Sequence, residues 1–554
     1  MKPLLRSLII IFFLLSGLVS SSWAQHFYLD STFQYNGIDT FGGYIPTGVI
    51  HRPEFAVHQL DNKILLAGYS LNSSTVELMR LKMDGSFDST FSDTGVVRVT
   101  EPYTQVVPTS VAVYDTSKIV MISQWLNVSA NNEFIQVYNF NSNGTLNTGF
   151  GVGGIKEVQL ATYATPITCG VQTDGKIMVM GLTVALGTGY YIYGIARLLP
   201  NGNLDPSYGN NGIELCPHQM LDTPVNSNTP IAGYPSCGLL QPDNKFVVAG
   251  FFSDSLATYA GYHAFVVRHN MDGSPDYTFA ASTGGVSITK DTNAFFMPKY
   301  INTDAAGNYY VFCTYQQSHP PWGDTNFVVI KLDHNGNRVT NYGINGIAYL
   351  PLQILNGGSA LCAVQPDGKV VIPGVFRTYT PDFEDWALVY RLDSVGHLDT
   401  SFNTAGQMLL QRPGHYHDLF TNAGIQRDGK ILLIGYDSTQ ATSVCMRLTN
   451  GVDVTPTSVK ALPAFTQSLT TYVYPNPAVH KSFKVHYKNT SLSTHCKVYV
   501  YDIYGKMIDM HSEFLLTGEG DMEYQLPETA RAGVYNIVVH CDTGEEQTHK
   551  VATF

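Results

Sequence analysis

The sequence is poor in charge and in familiar catalytic signatures. Only 14% of its 554 residues are charged, and the formal net charge is −12. There is no basic run, so the chain cannot present the concentrated positive field that phosphate binding needs, and we expect no nucleic-acid partner. No apolar stretch after the first 24 residues approaches the roughly 20 residues of a membrane span, so we expect no transmembrane segment in the mature chain.

Motifs for known chemistries are also missing. The chain has no Gly-x-Ser-x-Gly elbow, no His-Glu-x-x-His pair and no phosphate-binding P-loop, so we predict no catalytic set and no cofactor. His415 and His417 would share one face of a strand, but no third ligand accompanies them and we predict no metal. Eight cysteines include no CxxC pair. Cys216 with Cys237, or Cys496 with Cys541, could form disulfides, and buried free thiols are the alternative interpretation.

The first 24 residues have the layout of a cleaved secretory signal. Lys2 and Arg6 precede an apolar run from Leu8 to Leu15, and small residues lead to Ala24. An uncleaved membrane anchor is the alternative, but the apolar run is too short for one. We therefore expect residues 1–24 to be a signal peptide.

A motif of the form Gln-x-Asp-Gly-Lys followed by an apolar run recurs down the chain. Two degenerate copies lie among five good ones, and successive markers are 55, 58, 69, 63, 61 and 61 residues apart, taken at Lys63, Lys118, Lys176, Lys245, Asn308, Lys369 and Lys430. Asp-Gly and Asp-Asn suit tight hairpin turns, and the aliphatic runs after them suit strands buried on both faces. The sequence therefore contains seven copies of one β unit.

A second motif completes each unit. A strand ending in Arg-Leu leads to a Gly turn and then to Leu-Asp and an aromatic residue, as from Arg197 to Tyr208. Each unit thus offers about four short strands, which is the content of one propeller blade. The seventh copy lacks the Leu-Asp-x-x-Phe half, which stands instead at residues 29–33. We predict a seven-bladed β-propeller over residues 25–451, closed by the N-terminal segment, with an open β-solenoid as the alternative.

These motifs resemble the delta-sixty repeat family of bacterial surface proteins across roughly residues 28–451. The resemblance implies a surface location and no common enzymatic activity.

The C-terminal part has a different character. A Thr-, Ser- and Pro-rich stretch over 452–471 reads as a linker, and alternating strands separated by turns over 472–554 predict a small immunoglobulin-like β-sandwich. The Tyr474-Pro475-Asn476-Pro477 cluster, the strand and turn ending at Gly505, and the strand starting at Gly533 resemble the type A sorting domain of the type IX secretion system of Bacteroidota. This resemblance implies that the type IX machinery is a partner and that the protein is secreted or held at the outer cell surface. A generic adhesive sandwich is the alternative.

Aromatic residues in the segments between strands are the candidate binding residues. Trp125, Trp322 and Trp386 lie in such segments, and Tyr191, Tyr262, Trp322 and Trp386 fall in the same slot of their repeats, so they would gather on one rim of a ring. We therefore expect a binding scaffold for a glycan or protein ligand. The alternatives are a propeller-type polysaccharide-degrading enzyme, with an active site drawn from several blades, and a purely structural envelope component.

Overall fold

The computed structural model describes most of the chain from residue 29 onward, and the chain divides into two units, Met1–Val452 and Asp453–Phe554. The described residues are 29–34, 38–41, 52–59, 61–69, 74–102, 106–114, 118–125, 134–185, 191–215, 233–253, 262–283, 286–289, 294–317, 326–353, 362–378, 384–403, 406–410, 418–437, 442–449, 469–479, 481–489, 494–502, 507–515, 518–527, 530, 533–541 and 546–553.

The described residues of the first unit form seven four-stranded antiparallel sheets. Sheet 1 contains β2 (Arg52–His58), β3 (Ile64–Tyr69), β4 (Thr75–Leu81) and β5 (Val96–Thr100), and sheet 2 contains β6 (Val106–Tyr114), β7 (Lys118–Trp125), β8 (Ile135–Asn141) and β9 (Ile155–Val158). Sheet 3 contains β10 (Thr165–Val171), β11 (Ile177–Val184), β12 (Tyr191–Leu198) and β13 (Ile213–Leu215), and sheet 4 contains β14 (Gly233–Leu240), β15 (Phe246–Ser253), β16 (Tyr262–His269) and β17 (Val286–Thr289).

The remaining three sheets follow the same order, and the last of them contains a strand from the N-terminal part of the chain. Sheet 5 contains β18 (Ala294–Thr303), β19 (Tyr309–Gln317), β20 (Asn326–Leu332) and β21 (Ile347–Gln353), and sheet 6 contains β22 (Ala363–Val364), β23 (Val370–Thr378), β24 (Glu384–Leu392) and β25 (Gln407–Leu410). Sheet 7 contains β26 (Asp418–Ile425), β27 (Ile431–Asp437), β28 (Thr442–Leu448) and β1 (Ile38–Phe41).

The predicted hairpins are present between the first and second strands. In sheet 3 the N–H of Gln172 donates to the carbonyl of Lys176 at 2.8 Å, and the N–H of Gly175 donates to the carbonyl of Gln172 at 2.9 Å. Gly175 has φ +83°, and Asn244 holds the same turn position in sheet 4 with φ +64°. Glycine and asparagine are the residues that adopt this left-handed conformation at low cost, which explains why the motif requires them.

The first strand of most sheets carries a β-bulge. The pairing register shifts directly after Pro53, Pro108, Pro166, Pro235 and Pro298, and a comparable shift in sheet 7 follows Phe420. Proline cannot donate a ladder hydrogen bond, so it is suited to the edge strand of a sheet at a bulge. Each bulge leaves one extra residue outside the pairing.

Neighbouring sheets pack face to face around a closed cycle. Seven buried apolar clusters each join one sheet to the next, and one of them joins sheet 7 to sheet 1 through Leu432, Ile434 and Cys445 against Ile64 and Leu66. The first strands contact one another in turn, and β26 contacts β2. The first strands therefore form an inner circle.

The N-terminal segment completes sheet 7, as its sequence predicts. Leu29 bridges to Leu448, the N–H of Asp30 donates to the carbonyl of Arg447 at 2.8 Å, and β1 pairs with β28. Residues more than 400 positions apart are thus joined in one sheet, and the edge of β28 is covered.

The second unit is also built of strands, namely β29 (Leu469–Val479), β30 (Ser482–Asn489), β31 (Thr494–Asp502), β32 (Met507–Leu515), β33 (Gly518–Gln525), β34 (Gly533–Cys541) and β35 (Glu546–Thr553). The strand order is β32-β31-β34-β35-β29-β30-β33. One apolar cluster takes Val485 and Tyr524 from one end of this order and Val498 and Ile537 from the other, so both halves share a core.

The first strand of the second unit, β29, has an interrupted pairing pattern. β29 begins at Leu469, three residues before the predicted start of the domain at 472. The Tyr-Pro-Asn-Pro cluster lies inside β29 at a register shift between Tyr474 and Val479. The shift divides the strand, which pairs with β30 up to Tyr474 and again at Val479, and meets β35 at Ala478. Prolines are accommodated there because regular pairing is already interrupted.

Candidate binding surfaces

The repeat motifs converge on one buried ion cluster, seen clearly in sheet 3. The Nε of Arg197 donates to Asp205 Oδ2 at 2.8 Å, and Lys176 Nζ lies 3.3 Å from the same oxygen. Ser207 Oγ donates to Asp205 Oδ1 at 2.7 Å, and the Arg197 guanidinium lies 4.8 Å from the centre of the Tyr208 ring. The hairpin lysine, the Arg-Leu strand and the Leu-Asp turn are therefore parts of one structural unit.

Four other sheets contain the same arginine, aspartate and lysine, namely Arg80, Asp88 and Lys63; Arg268, Asp276 and Lys245; Arg391, Asp399 and Lys369; and Arg447, Asp30 and Lys430. The arginine also reaches the next sheet, because Arg197 donates to the carbonyl of Met271 and Arg447 to that of Met83. The arginines at these four positions, Arg80, Arg197, Arg268 and Arg447, therefore tie their sheets to the next one.

The aspartates of these clusters are held ionised. Burial raises the pKa of Asp205, but hydrogen bonds from Ser207 and the charge of Arg197 outweigh it, and the pKa is lowered to about 2. Burial also opposes ionisation of Asp30, and hydrogen bonds from Lys430 and Thr32 again bring its pKa to about 2. Carboxylates that are ionised and fully partnered are suited to holding a fold rather than to transferring protons near neutral pH.

The two degenerate repeats lack the aspartate of the ion pair, and only sheet 2 also lacks the cation. In sheet 2 the equivalent positions are Asn139 and Asn147, and Asn147 Nδ2 donates to Asn139 Oδ1 at 3.3 Å. In sheet 5 they are Lys331 and Val339, and Lys331 Nζ lies 4.8 Å from the centre of the Tyr310 ring. Removing a single member would leave a buried charge unpaired, which explains the paired neutral replacement in sheet 2; in sheet 5 the rings of Tyr310 and Tyr342 face the remaining cation instead.

The two ends of the sheets differ in regularity. The Gln-x-Asp-Gly-Lys turns lie at one end, here called the hairpin face, and join first to second strands with five residues in most sheets, as from Gln172 to Lys176. At the other end, here called the variable face, the second strand leads to the third and the fourth leads to the next sheet. Those connections range from four residues, between Asp437 and Thr442, to seventeen, between Leu215 and Gly233. Length variation at one end is typical of a binding face on a rigid scaffold.

Tyr191 lies at the variable face in contact with a neighbouring sheet. It is the first residue of β12, pairs with Val184 and is 37% exposed. Its ring centre lies 5.1 Å from that of Tyr234 in sheet 4, which in turn stacks on Phe251 at 5.3 Å. These three residues, here called the aromatic cluster, join two sheets at this face.

The other predicted aromatic residues lie inside strands rather than between them. Tyr262 is the first residue of β16 and pairs with Ser253, Trp386 is the third residue of β24 and pairs with Phe376, and Trp125 is the last residue of β7. Aromatic residues favour strands, which is consistent with their position near strand ends and not in the connecting segments where they were predicted. Tyr262 begins its strand at the variable face, and Trp386 lies near the start of its strand at the same face. Trp322 lies outside the described residues, as do His415 and His417.

A cavity of about 370 Å³ lies within the inner circle, against the first strands of sheets 1 to 5. The extra residues of four bulges line it, namely Thr109, Ile167, Ser236 and Lys299. Lys299 is the one charged residue of this lining, and the lining contains no Asp, Glu or His from the described part of the chain. The cavity therefore offers a cation and hydroxyl groups, but its described walls do not provide the two carboxylates with which most glycosidases act.

Cysteines in and near this cavity are neutral thiols. Cys169 and Cys237 line it, and neither of them nor Cys313 forms a disulfide, so the interpretation as buried free thiols holds for these three; Cys216, the other half of one possible bridge, lies outside the described residues. Burial raises the pKa of Cys169 to about 12. A thiol with such a pKa is a poor nucleophile at neutral pH.

The described residues contain no group of three or more His, Cys, Asp and Glu side chains that could hold a metal ion. Among these same residues, no helix has the length and apolar character needed to span a bilayer.

In the second unit the motif residues expected for sorting lie on two strands. Tyr474 is 37% exposed, and its hydroxyl donates to Asp521 Oδ2 at 2.6 Å. Pro475, Asn476 and Pro477 follow it in β29, and Gly533 begins β34. Gly505 lies outside the described residues.

The chain matches the β-propeller domain of unknown function DUF5122. The match covers four stretches, 59–91, 172–208, 241–279 and 365–402. Each stretch begins at the hairpin glutamine and ends at the aromatic residue of the Leu-Asp turn, in sheets 1, 3, 4 and 6. The chain therefore contains β-propeller repeats.

Solved structures similar to this chain are distant from it. One is PorZ, an essential surface component of the type IX secretion system of Porphyromonas gingivalis, with 10% identity over 89% of this chain and 68% of PorZ and a TM-score of 0.28. Another is the β-propeller domain of the Trilobed protease from Pyrococcus furiosus, with 10% identity over 72% of this chain and 94% of the domain and a TM-score of 0.38. No curated protein matches the chain by sequence. We take no function from these likenesses.

Sequence reasoning missed the cavity and the aromatic cluster. The signal for the cavity was a proline six residues before the hairpin glutamine, as at Pro166 and Pro235. That proline marks the bulge whose extra residue lines the cavity. No comparable signal in the sequence links Tyr191 to Tyr234, because the contact joins two sheets.

Proposed function

We propose that this protein is an exported binding scaffold, a closed seven-bladed β-propeller that recognises a glycan or protein ligand at its variable face. The seven sheets are its blades, and Asp30 to Phe41 closes the ring. The main support for this proposal is the difference between the hairpin face and the variable face. The hairpin face repeats one buried ion cluster in five sheets, whereas the variable face has connections of different lengths and the aromatic cluster, of which Tyr191 is 37% exposed.

The aromatic cluster supports recognition by broad contact. Tyr191 is 37% exposed, and its ring packs against that of Tyr234, which in turn stacks on Phe251. A tyrosine that is fixed in place loses little side-chain entropy when a ligand stacks on it. The start of β24, which carries Trp386, belongs to the same face.

The test compares ligand capture by the full secreted chain and by two variants. Glycan-array binding and pull-down from outer-membrane material should fall at least several-fold for Tyr191→Ala combined with Trp386→Ala. Tyr277→Ala is the matched control, since Tyr277 is 63% exposed on a turn at the hairpin face. Equal loss in both variants, or no capture by the parent chain, would contradict the proposal.

We further propose that the second unit is an immunoglobulin-like β-sandwich that serves as a type A sorting domain. The motif cluster at Tyr474 and the shared core of both strand groups support this assignment. In a host with type IX machinery, a chain ending at Val452 should accumulate in the periplasm while the full chain reaches the surface. Equal surface delivery of both chains would rule out the assignment.

A further inference from the structure

We propose that the cavity within the inner circle binds a small hydroxylated carboxylate, such as a sugar acid, through the Lys299 ammonium and the hydroxyl groups around it. This site is separate from the variable face and does not depend on the function proposed there.

The β-bulges place the lining side chains at equivalent positions of neighbouring first strands. Thr109, Ile167, Ser236 and Lys299 are the extra residues at equivalent places in sheets 2 to 5, and all four line the cavity. A bulge redirects a side chain out of the regular alternation of its strand. Because the strands lie in a circle, repeating the bulge in successive sheets directs different side chains toward one shared space.

Lys299 is a cation without a carboxylate partner in the described part of the chain. The ion pairs there serve the five clusters, single cross-strand pairs and turns, and none involves Lys299. Burial raises the pKa of the Cys237 thiol, and the Lys299 charge opposes that rise, so the ammonium acts electrostatically on the wall that Cys237 forms. A ligand carboxylate would provide the missing counter-charge.

Hydroxyl groups line the remaining polar wall. Thr109 Oγ1 is buried and makes no hydrogen bond with any described group, and Ser236 and Thr168 also line the space. A buried hydroxyl without a partner costs stability, and a ligand hydroxyl would recover that cost. Ile167 adds an apolar surface for the face of a sugar ring.

Size and charge together define the ligand class. The volume of about 370 Å³ stands at the small end of ligand pockets and suits one monosaccharide unit. One ammonium beside neutral hydroxyls matches a singly charged carboxylate that carries hydroxyl groups. Phosphate recognition more often draws on arginine forks or clustered backbone N–H groups.

The experiment titrates the full secreted chain with D-glucuronate, D-glucose and inorganic phosphate by isothermal calorimetry at pH 7. We expect glucuronate to bind, and glucose and phosphate to bind at least about tenfold more weakly. Lys299→Gln should weaken glucuronate binding about tenfold or more, and Ser236→Ala should weaken it by a smaller factor. Lys156→Gln on β9 is the matched control and should leave binding unchanged. Thermal unfolding of each variant shows that it is folded, and Ser236→Ala provides an independent test if Lys299→Gln does not fold.

Three outcomes would overturn the site. These are glucuronate affinity that is equal in the parent chain and Lys299→Gln, equal binding of glucose or phosphate, and no glucuronate binding at millimolar concentration.

Discussion

At the scale of single residues, the main finding is that charge in this chain is concentrated where it is paired. Lys176 and Arg197 come from two different motifs of the repeat, yet both contact the same carboxylate oxygen of Asp205 in the fold. Buried pairs of this kind add little net stability over apolar packing, but losing one member is costly. Because they recur in five sheets, these ion pairs help to specify the packing of one sheet against the next.

This arrangement predicts unequal effects of single and double substitutions in sheet 3. Asp205→Asn should lower the free energy of unfolding by about 3 kcal/mol, because it leaves Arg197 buried without a carboxylate. Arg197→Asn combined with Asp205→Asn should cost clearly less than the sum of the single changes, since sheet 2 already contains Asn139 and Asn147 at these positions. Denaturant unfolding of the four chains measures the coupling, and strictly additive losses would contradict the account.

The same aspartates predict sensitivity to acid. The folded-state pKa of Asp30 and of Asp205 is about 2, against an ordinary value of 3.8. Because the folded pKa is lowered, their stabilisation is complete above pH 4 and is lost as the pH falls toward 2. Each contributes on the order of 1 to 2 kcal/mol. Thermal midpoints from pH 5 to 2 should fall steeply for the parent chain and less steeply for Asp30→Asn, and identical slopes would contradict the assignment.

At the scale of elements, strand pairing decides what the cysteines can do. Cys237 lies in a first strand beside the cavity as a free thiol, whereas Cys496 and Cys541 are directly opposite in β31 and β34. Residues opposite each other in antiparallel strands have Cα atoms about 4.5 to 5.5 Å apart, within the range that a disulfide spans.

We therefore predict that Cys496 and Cys541 form a disulfide under oxidising conditions. Incubation of the full chain with oxidised glutathione should remove two hydrogen atoms by thiol–disulfide exchange, with glutathione as the electron acceptor. Peptide mapping should identify one linked pair, and Cys496→Ser should abolish it. Cys237→Ser is the control and should leave the linkage intact. Free thiols at 496 and 541 after oxidation would contradict the prediction.

Hairpins and strands could be predicted from the sequence because they depend on residues that are close together in the chain. The hairpins around Gly175 and Asn244 follow from local turn chemistry, and the strands after them follow from short aliphatic runs. The bulges after Pro166 and Pro235 were missed, because a proline in a strand shows that pairing is interrupted without showing where the extra side chain points.

At the scale of the whole molecule, the packing cycle depends on the N-terminal segment. Phe33 packs in the apolar cluster between sheets 7 and 1, Asp30 completes the ion cluster of Arg447, and β1 covers the edge of β28. Without these contacts sheet 7 would have a buried arginine with no counter-ion and an open edge.

Removing that segment should therefore destabilise the entire first unit. A chain beginning at residue 42 should lose about 3 kcal/mol or more of unfolding free energy relative to one beginning at residue 25, because Arg447 loses its carboxylate. Thermal unfolding and size-exclusion chromatography should show a lower midpoint and self-association through the open edge. Equal midpoints and a monomeric short chain would refute closure by this segment.

The amino-acid sequence by itself determined the repeat, its turns and the identity of the segment that completes the last sheet. These depend on residues close together in the chain, on a constant spacing, and on a half-motif that stands at residues 29–33. Only the tertiary structure decided that Lys299 shares a cavity with Thr109 and that Tyr191 packs on Tyr234. Those contacts join different sheets, so they exist only once bulges and packing between sheets have set the direction of each side chain.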